Sequence, residues 1–308
     1  MTCLIIIGNG FDIAHGLPTK YQDFQQYLYQ NHEIGEPTFS ISSKTQPNGA
    51  EVFNNDELVT FLNHIISEVE EGELWSDIET SLGRLSFEDF FDQMSFLVEE
   101  ENLFRESNIY EDATYNFLLA AKEIRRFFSE WMNSINTSRV VPIEWFNKLI
   151  DIKKDKFLTF NYTPVLQNVY GANNVEHIHG EQGKETIIGH GIAERCFDYF
   201  HSGSRYPMMK LHDALMKHPK TNIKRSLYFF EELTFIEKIF SYGFSFSDVD
   251  LPYIEEVCKR VRTENVTWFL NDFDSLETRE KYKVKIRECG FKGEFNVFGT
   301  KENSSTEN

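Results

Sequence analysis

The chain has 308 residues, 41% of them hydrophobic and 29 of them phenylalanine. That is enough for one large domain, or one domain with a sizeable insertion, and it excludes a chain disordered throughout. Its 49 acids against 31 bases leave a net charge of -18, which disfavours nucleic-acid binding, because that rests on neutralising phosphates with Lys and Arg.

Cys3 to Ile7 is a continuous apolar, β-branched run closed by Gly8. A strand buried on both faces at the centre of a parallel sheet reads this way. After the glycine turn, Thr19 and Gln22 have capping-box spacing, and Tyr21, Phe24 and Leu28 fall on one helical face. Residues 31–54 are polar and read as a loop. Leu58, Phe61, Leu62, Ile65, Ile66 and Val69 then predict an amphipathic helix running to Gly72. A second helix starts at Ser86 and carries Phe87, Phe90, Met94 and Leu97. A third spans 112–135. The stretch 55–150 therefore reads as a mainly helical insertion between the first and second strands of a sheet.

From Lys156 onward, short apolar runs alternate with helical patterns. Strands are expected at 156–160, 175–178, 186–188, 238–242, 266–270 and 295–298, with helices at 251–261 and 276–289. That alternation predicts an α/β fold: a Rossmann-like parallel sheet with helices on both faces. The sheet domain is expected over 1–30 and 151–300, and 301–308 is expected to be a disordered tail. The one dense basic stretch, Lys217 to Arg225, reads as a solvated loop.

The four cysteines, Cys3, Cys196, Cys258 and Cys289, are scattered, so neither a thiolate zinc site nor a disulfide framework is expected. The N-terminal apolar run is too short for a signal peptide, and no stretch has the length of a membrane helix. The expectation is a cytoplasmic protein without a membrane partner.

Four turns, each after an expected strand, carry residues suited to chemistry. Gly8-Asn9-Gly10-Phe11-Asp12, with Gly16 behind it, lets backbone approach a phosphate, although the same glycines also suit a tight strand-to-helix turn. Asn161, in Phe160-Asn161-Tyr162-Thr163, sits where α/β folds hold ligands. His177 and His179 are two apart, so a shared strand face could in principle chelate a metal, but no third ligand accompanies them. His179, before Gly180, suits a general base because its ordinary pKa is near neutral. His190 is a further loop histidine. In Gly243 to Asp250, Ser245, Asp248 and Asp250 suit ribose hydroxyls, or in the case of Asp250 the cap of the helix opened by Leu251-Pro252.

These motifs together resemble the bacteriophage abortive infection AbiH family. The resemblance rests on Ile5 to Asp12, His15-Gly16-Leu17-Pro18-Thr19 with Tyr21, Trp75-x-x-Ile78-Glu79, Phe160 to Thr163, His177-x-His179-Gly180, Gly189-His190-Gly191 and Ser245 to Tyr253. The family in turn resembles sirtuin-like NAD-binding domains. Gly8, Gly10, Gly16 and Pro18 fall on the sirtuin glycine turn, Asn161 and His179 on its catalytic pair, and Gly243-Phe244-Ser245 on its ribose loop. Thr163 stands where sirtuins carry Asp, and the sirtuin four-cysteine zinc module has no counterpart.

The resemblance implies a phage-defence protein that cleaves NAD, with Asn161 and His179 catalytic. Gly8, Asn9, Gly10, Phe11, Asp12, Gly16, Pro18, Tyr21, His190, Gly243, Ser245, Asp248 and Asp250 would hold the dinucleotide, and no metal is expected. A phage-encoded trigger or partner and a homo-oligomer are compatible with it. Two other readings stay open: a nucleotide- or phage-product-sensing module without turnover, and a Mg²⁺-dependent nucleotidase or nuclease using Asp12 and Asp248.

Overall fold

A computed structural model describes residues 2–36, 41–67, 79, 82–83, 103–192 and 204–299. The chain divides into two compact units, one of residues 1–19, 132–187 and 218–308, the other of 20–131 and 188–217. This division differs from the sequence boundaries: 20–30 and 188–217 group with the helical segment, and 132–150 with the sheet. The expected helix from Ser86, residues 68–78 with Trp75 and Ile78, Cys196 and the 301–308 tail lie outside the described residues.

The first unit is built on six strands: β1 (Cys3–Ile7), β2 (Lys156–Thr159), β3 (Val175–His177), β4 (Lys238–Tyr242), β5 (Thr267–Asn271) and β6 (Glu294–Phe298). All pairs are parallel and the spatial order is β3-β2-β1-β4-β5-β6. This is a doubly wound Rossmann-type sheet whose winding reverses between β1 and β4. β1 is central because its run is apolar on both faces: Leu4, Ile5, Ile6 and Ile7 are all buried. Leu4 and Ile6 join a core with Leu158, Tyr253, Ile254, Val257 and Trp268. The helices Leu251–Arg260 and Leu276–Glu288 stand close to their expected bounds.

The expected strand at 186–188 is not one. β3 is already the outer strand of the sheet, and the chain doubles back there, donating only the Ile187 amide to the His179 carbonyl. The basic stretch is also not a loop. Pro219–Arg225 is helical, with Pro219 opening it as its missing N–H allows.

The second unit packs the helices Tyr21–Asn31, Asn55–Ser67, Leu103–Lys122, the start of Ile124–Ser134, and Arg205–Leu215. Phe24, Leu58, Phe61, Phe117, Phe127 and Phe128 fill it, with Phe61 stacked on Phe117 at 4.6 Å. The single helix expected over 112–135 is two, divided at Glu123. The capping box expected at Thr19 does not form: Lys20 is the cap residue, and only the reverse half is present, its amide donating to Asp23 Oδ2 at 2.8 Å. The 31–54 loop contains a short antiparallel hairpin, Ser43–Thr45 with Glu51–Phe53. Among the described residues no helix is long and apolar enough to cross a membrane.

Candidate functional site

In doubly wound sheets, ligands bind at the carboxyl ends of the strands where the winding reverses. Here that place is occupied by two glycine turns locked together. The Gly8 amide donates to the Tyr242 carbonyl (3.1 Å) and the Gly10 amide to the Gly243 carbonyl (3.0 Å). A Cβ on Gly8 would lie 2.4 Å from the Gly243 oxygen, and one on Gly243 would lie 2.5 Å from the Phe11 nitrogen. Gly243 also has a φ of +63°. The close approach of β1 and β4 therefore accounts for these glycines, and two amides expected to face a phosphate are donated to backbone carbonyls.

Gly16, at φ +75°, ends the helix Asn9–Ala14. Its amide donates to Ile13 O and that of Leu17 to Asp12 O, the Schellman arrangement in which a left-handed glycine closes a helix. Gly16 and Pro18 are exposed. Asn9 donates through Nδ2 to Thr19 O (2.8 Å), which pins this stretch.

Asp12 follows the glycines and is buried. Thr163 donates its hydroxyl to Asp12 Oδ2 at 2.7 Å. Burial pushes the Asp12 carboxyl up from 3.8 to about 7, against the lowering effects of Thr163 and the nearby Asn161 amide. Asp12 Oδ1, Asn161 Nδ2 and Thr19 Oγ1 are buried and complete no hydrogen bond of good geometry among the described residues. A buried polar atom left so costs about 1–3 kcal/mol, and several near one strand end mark a place built to meet a ligand or water.

Asn161 is fixed from behind. Its amide donates to Thr159 Oγ1 (3.1 Å), and its carbonyl takes the His177 Nδ1 proton (2.9 Å) while His177 Nε2 accepts from Gln167 (2.8 Å). Burial lowers the His177 pKa. β3 ends at His177, so His179 lies in the following turn and the two histidines do not share a strand face. Among the described residues no three His, Cys, Asp or Glu side chains group as a ligand set.

His179 is buried, with Nε2 3.2 Å from Asp250 Oδ1. Its ring meets Phe160 edge-on at 5.3 Å and Tyr253 at 5.6 Å. Asp250 Oδ2 accepts from Ser247 Oγ at 3.0 Å. The sequence offers Asp250 as a helix cap or a ribose ligand, yet its side chain makes no cap bond.

The structure thus brings Asp12 to Thr163 and Asn161, and His179 to Asp250. Ser245 is exposed, and Asp248 is exposed and paired with Lys285 at 2.8 Å. Asp12 is enclosed and Asp248 is at the surface, so the two expected Mg²⁺ ligands stand in unlike surroundings. Tyr21 and His190 belong to the second unit. There Tyr21 packs on Phe128, and both His190 nitrogens are engaged, Nε2 with His212 O and Nδ1 with the Ile192 amide. Burial first, then the neighbouring His212, lower the His190 pKa to about 4. The sequence marks Thr163 only as a departure from the sirtuin pattern and Ser247 only as part of the Gly243–Asp250 turn, because their partners depend on which strands are neighbours.

The family model for bacteriophage abortive infection AbiH matches residues 4–272. The chain belongs to the AbiH family. That membership gives it an abortive-infection role against phage. No curated protein and no solved structure gives a significant match. The AbiH match takes in every residue of the site just described, while the last helix and β6 lie beyond it.

Proposed function

We propose that this AbiH protein is a defence effector that hydrolyses NAD at its glycosidic bond. The observation that carries the reading is the polar set at the carboxyl ends of β1, β2 and β3. There the buried Asp12 and Asn161 present atoms that complete no hydrogen bond of good geometry among the described residues, and a buried histidine stands against a carboxylate. The resemblance of Asn161 and His179 to the sirtuin catalytic pair supports the choice of NAD, as does the Rossmann-type strand order.

In the proposed reaction the bond between ribose C1′ and the pyridinium nitrogen breaks, and its electron pair stays on the nitrogen as neutral nicotinamide leaves. Water oxygen bonds to C1′, and the proton it loses passes to His179 and then to solvent. Asn161 holds the water or a ribose hydroxyl, and Asp12 accepts a hydrogen bond from the same group. The transition state is cationic at the sugar, so positioned polar groups supply the stabilisation without a metal. With the Gly8 and Gly10 amides engaged by backbone, these side chains rather than the glycines carry substrate recognition near the sugar.

The test is incubation of purified protein with NAD, with and without phage lysate, followed by measurement of nicotinamide. Release that disappears in Asn161→Ala and His179→Ala supports the proposal. A rise in melting temperature with NAD but no release would replace it with a sensing role, and hydrolysis that needs Mg²⁺ would replace it with a metal-dependent nucleotidase.

A further inference from the structure

We infer that Asp250 is the positioning residue for His179, fixing the orientation of its ring and stabilising the imidazolium that forms when it takes a proton. The inference deepens the reading of His179 as general base and rests on it for its catalytic meaning, though not for its physical content.

Asp250 begins the helix Leu251–Arg260, where an Asp ordinarily turns its carboxylate onto the first amides of the helix. Here it does not. Pro252 has no N–H to offer, and the Tyr253 amide donates to the backbone carbonyl of Asp250 at 3.1 Å. The carboxylate is turned away from the helix instead. Oδ2 takes the Ser247 hydroxyl, and Oδ1 lies at ion-pair distance, 3.2 Å, from His179 Nε2, with the two side chains only 4% and 9% exposed; the pair is close but not aligned as a hydrogen bond in this structure. The Asp250 amide donates to Ser247 O at 2.9 Å, which ties both ends of the residue to the same turn.

A desolvated carboxylate so close to an imidazole favours the protonated ring. Among the described residues, the phenols of Tyr162 and Tyr253 also face His179, and each hydroxyl has a hydrogen bond of its own. Tyr162 donates to Ile187 O (2.9 Å) and Tyr253 accepts from Asn222 Nδ2 (2.9 Å). His177 is turned onto Asn161 and Gln167. Asp250 is thus the anion placed to hold the charge, in the manner of a buried Asp that orients a catalytic His.

The experiment is a histidine NMR titration of the full chain, with the His179 signal assigned by its loss in His179→Gln, alongside NAD turnover of the same samples. In Asp250→Asn, His179 should titrate about one unit or more lower, a roughly tenfold loss of imidazolium at fixed pH. Ser247→Ala, which keeps the carboxylate, should shift it less in the same direction. If the wild type releases nicotinamide, Asp250→Asn should lower kcat about 10- to 100-fold, with KM changed less than about threefold and the acid limb of the pH profile moved down. An unshifted His179 titration in both variants overturns the inference, whatever happens to NAD. A shifted titration in a protein that releases no nicotinamide upholds the pairing and removes the NAD reading instead. Should Asp250→Asn fail to fold, the Ser247→Ala titration decides.

Discussion

Replacing Asp12 by Asn should make the protein more stable and less active, and the gain should depend on pH. Asp12 is wholly buried, and its carboxyl is raised from 3.8 to about 7. An acid whose pKa rises on folding binds more protons folded than unfolded between those two values. Stability therefore falls as pH rises from 3.8 through about 7, and the whole penalty is present above that. Three units at about 1.36 kcal/mol each make about 4 kcal/mol. Asn has no charge to desolvate and can still accept from Thr163, but an NH₂ in place of Oδ1 would meet the Asn161 amide donor, returning about 1–2 kcal/mol. The net expectation is a gain of about 2–3 kcal/mol near pH 8 that turns into a loss of about 1–2 kcal/mol near pH 4. Urea unfolding of both proteins across that range reads it directly. A stability difference that stays constant with pH would refute the claim that Asp12 is a strained carboxyl, and with it the idea that the site holds a destabilised group for function.

Other expected outcomes follow from the same packing. Gly8→Ala should cost more than about 3 kcal/mol or prevent folding, because its Cβ would overlap the Gly243 carbonyl. Gly16→Ala, with open space around it, should cost only about 1–2 kcal/mol from its left-handed backbone; equal losses in thermal unfolding would contradict the reading of the two turns. Lys217 and Glu79 form a buried pair at 2.5 Å in the second unit. Lys217→Met should therefore destabilise by about 3–5 kcal/mol, and Glu79→Leu added to it should restore much of the loss. Additive losses in a double-mutant cycle would show that the pair is not the unit. Lys285 bonds the carbonyl of Phe246, a buried residue at φ +52°. Lys285→Met should loosen the Gly243–Asp250 turn, seen as faster amide exchange there with the sheet unchanged.

Much of the fold was legible because its signals are local. The unbroken apolar run Cys3–Ile7 announced a doubly buried strand, and Lys238–Tyr242 was read to the residue. Helices with a regular apolar face, such as Asn55–Ser67, were legible for the same reason. Thr186–Ile188 has strand-like residues but no neighbour to pair with, and no sequence pattern records that. The glycines were legible as necessary but not as to why: the same requirement for no Cβ arises from a phosphate or from another backbone, and here Gly243 is that backbone. Asn161 and His179 were visible because each lies in the turn that follows a strand. The contacts that give them meaning were not. Asp12 and Thr163 are 151 positions apart in sequence and meet only because β1 and β2 are neighbours. Asp250 pairs with His179 because Pro252 leaves its carboxylate little to cap. His190 stood in the same motif-rich region as His179, yet the chain returns to the helical unit at Ile188 and takes it along.

The most direct test is nicotinamide and NAD quantified by mass spectrometry in phage-infected cells carrying the wild-type chain, Asn161→Ala or His179→Ala. NAD should fall and nicotinamide rise after infection with the wild type alone, and phage protection should be lost in both variants. Protection by the wild type with NAD unchanged would contradict it.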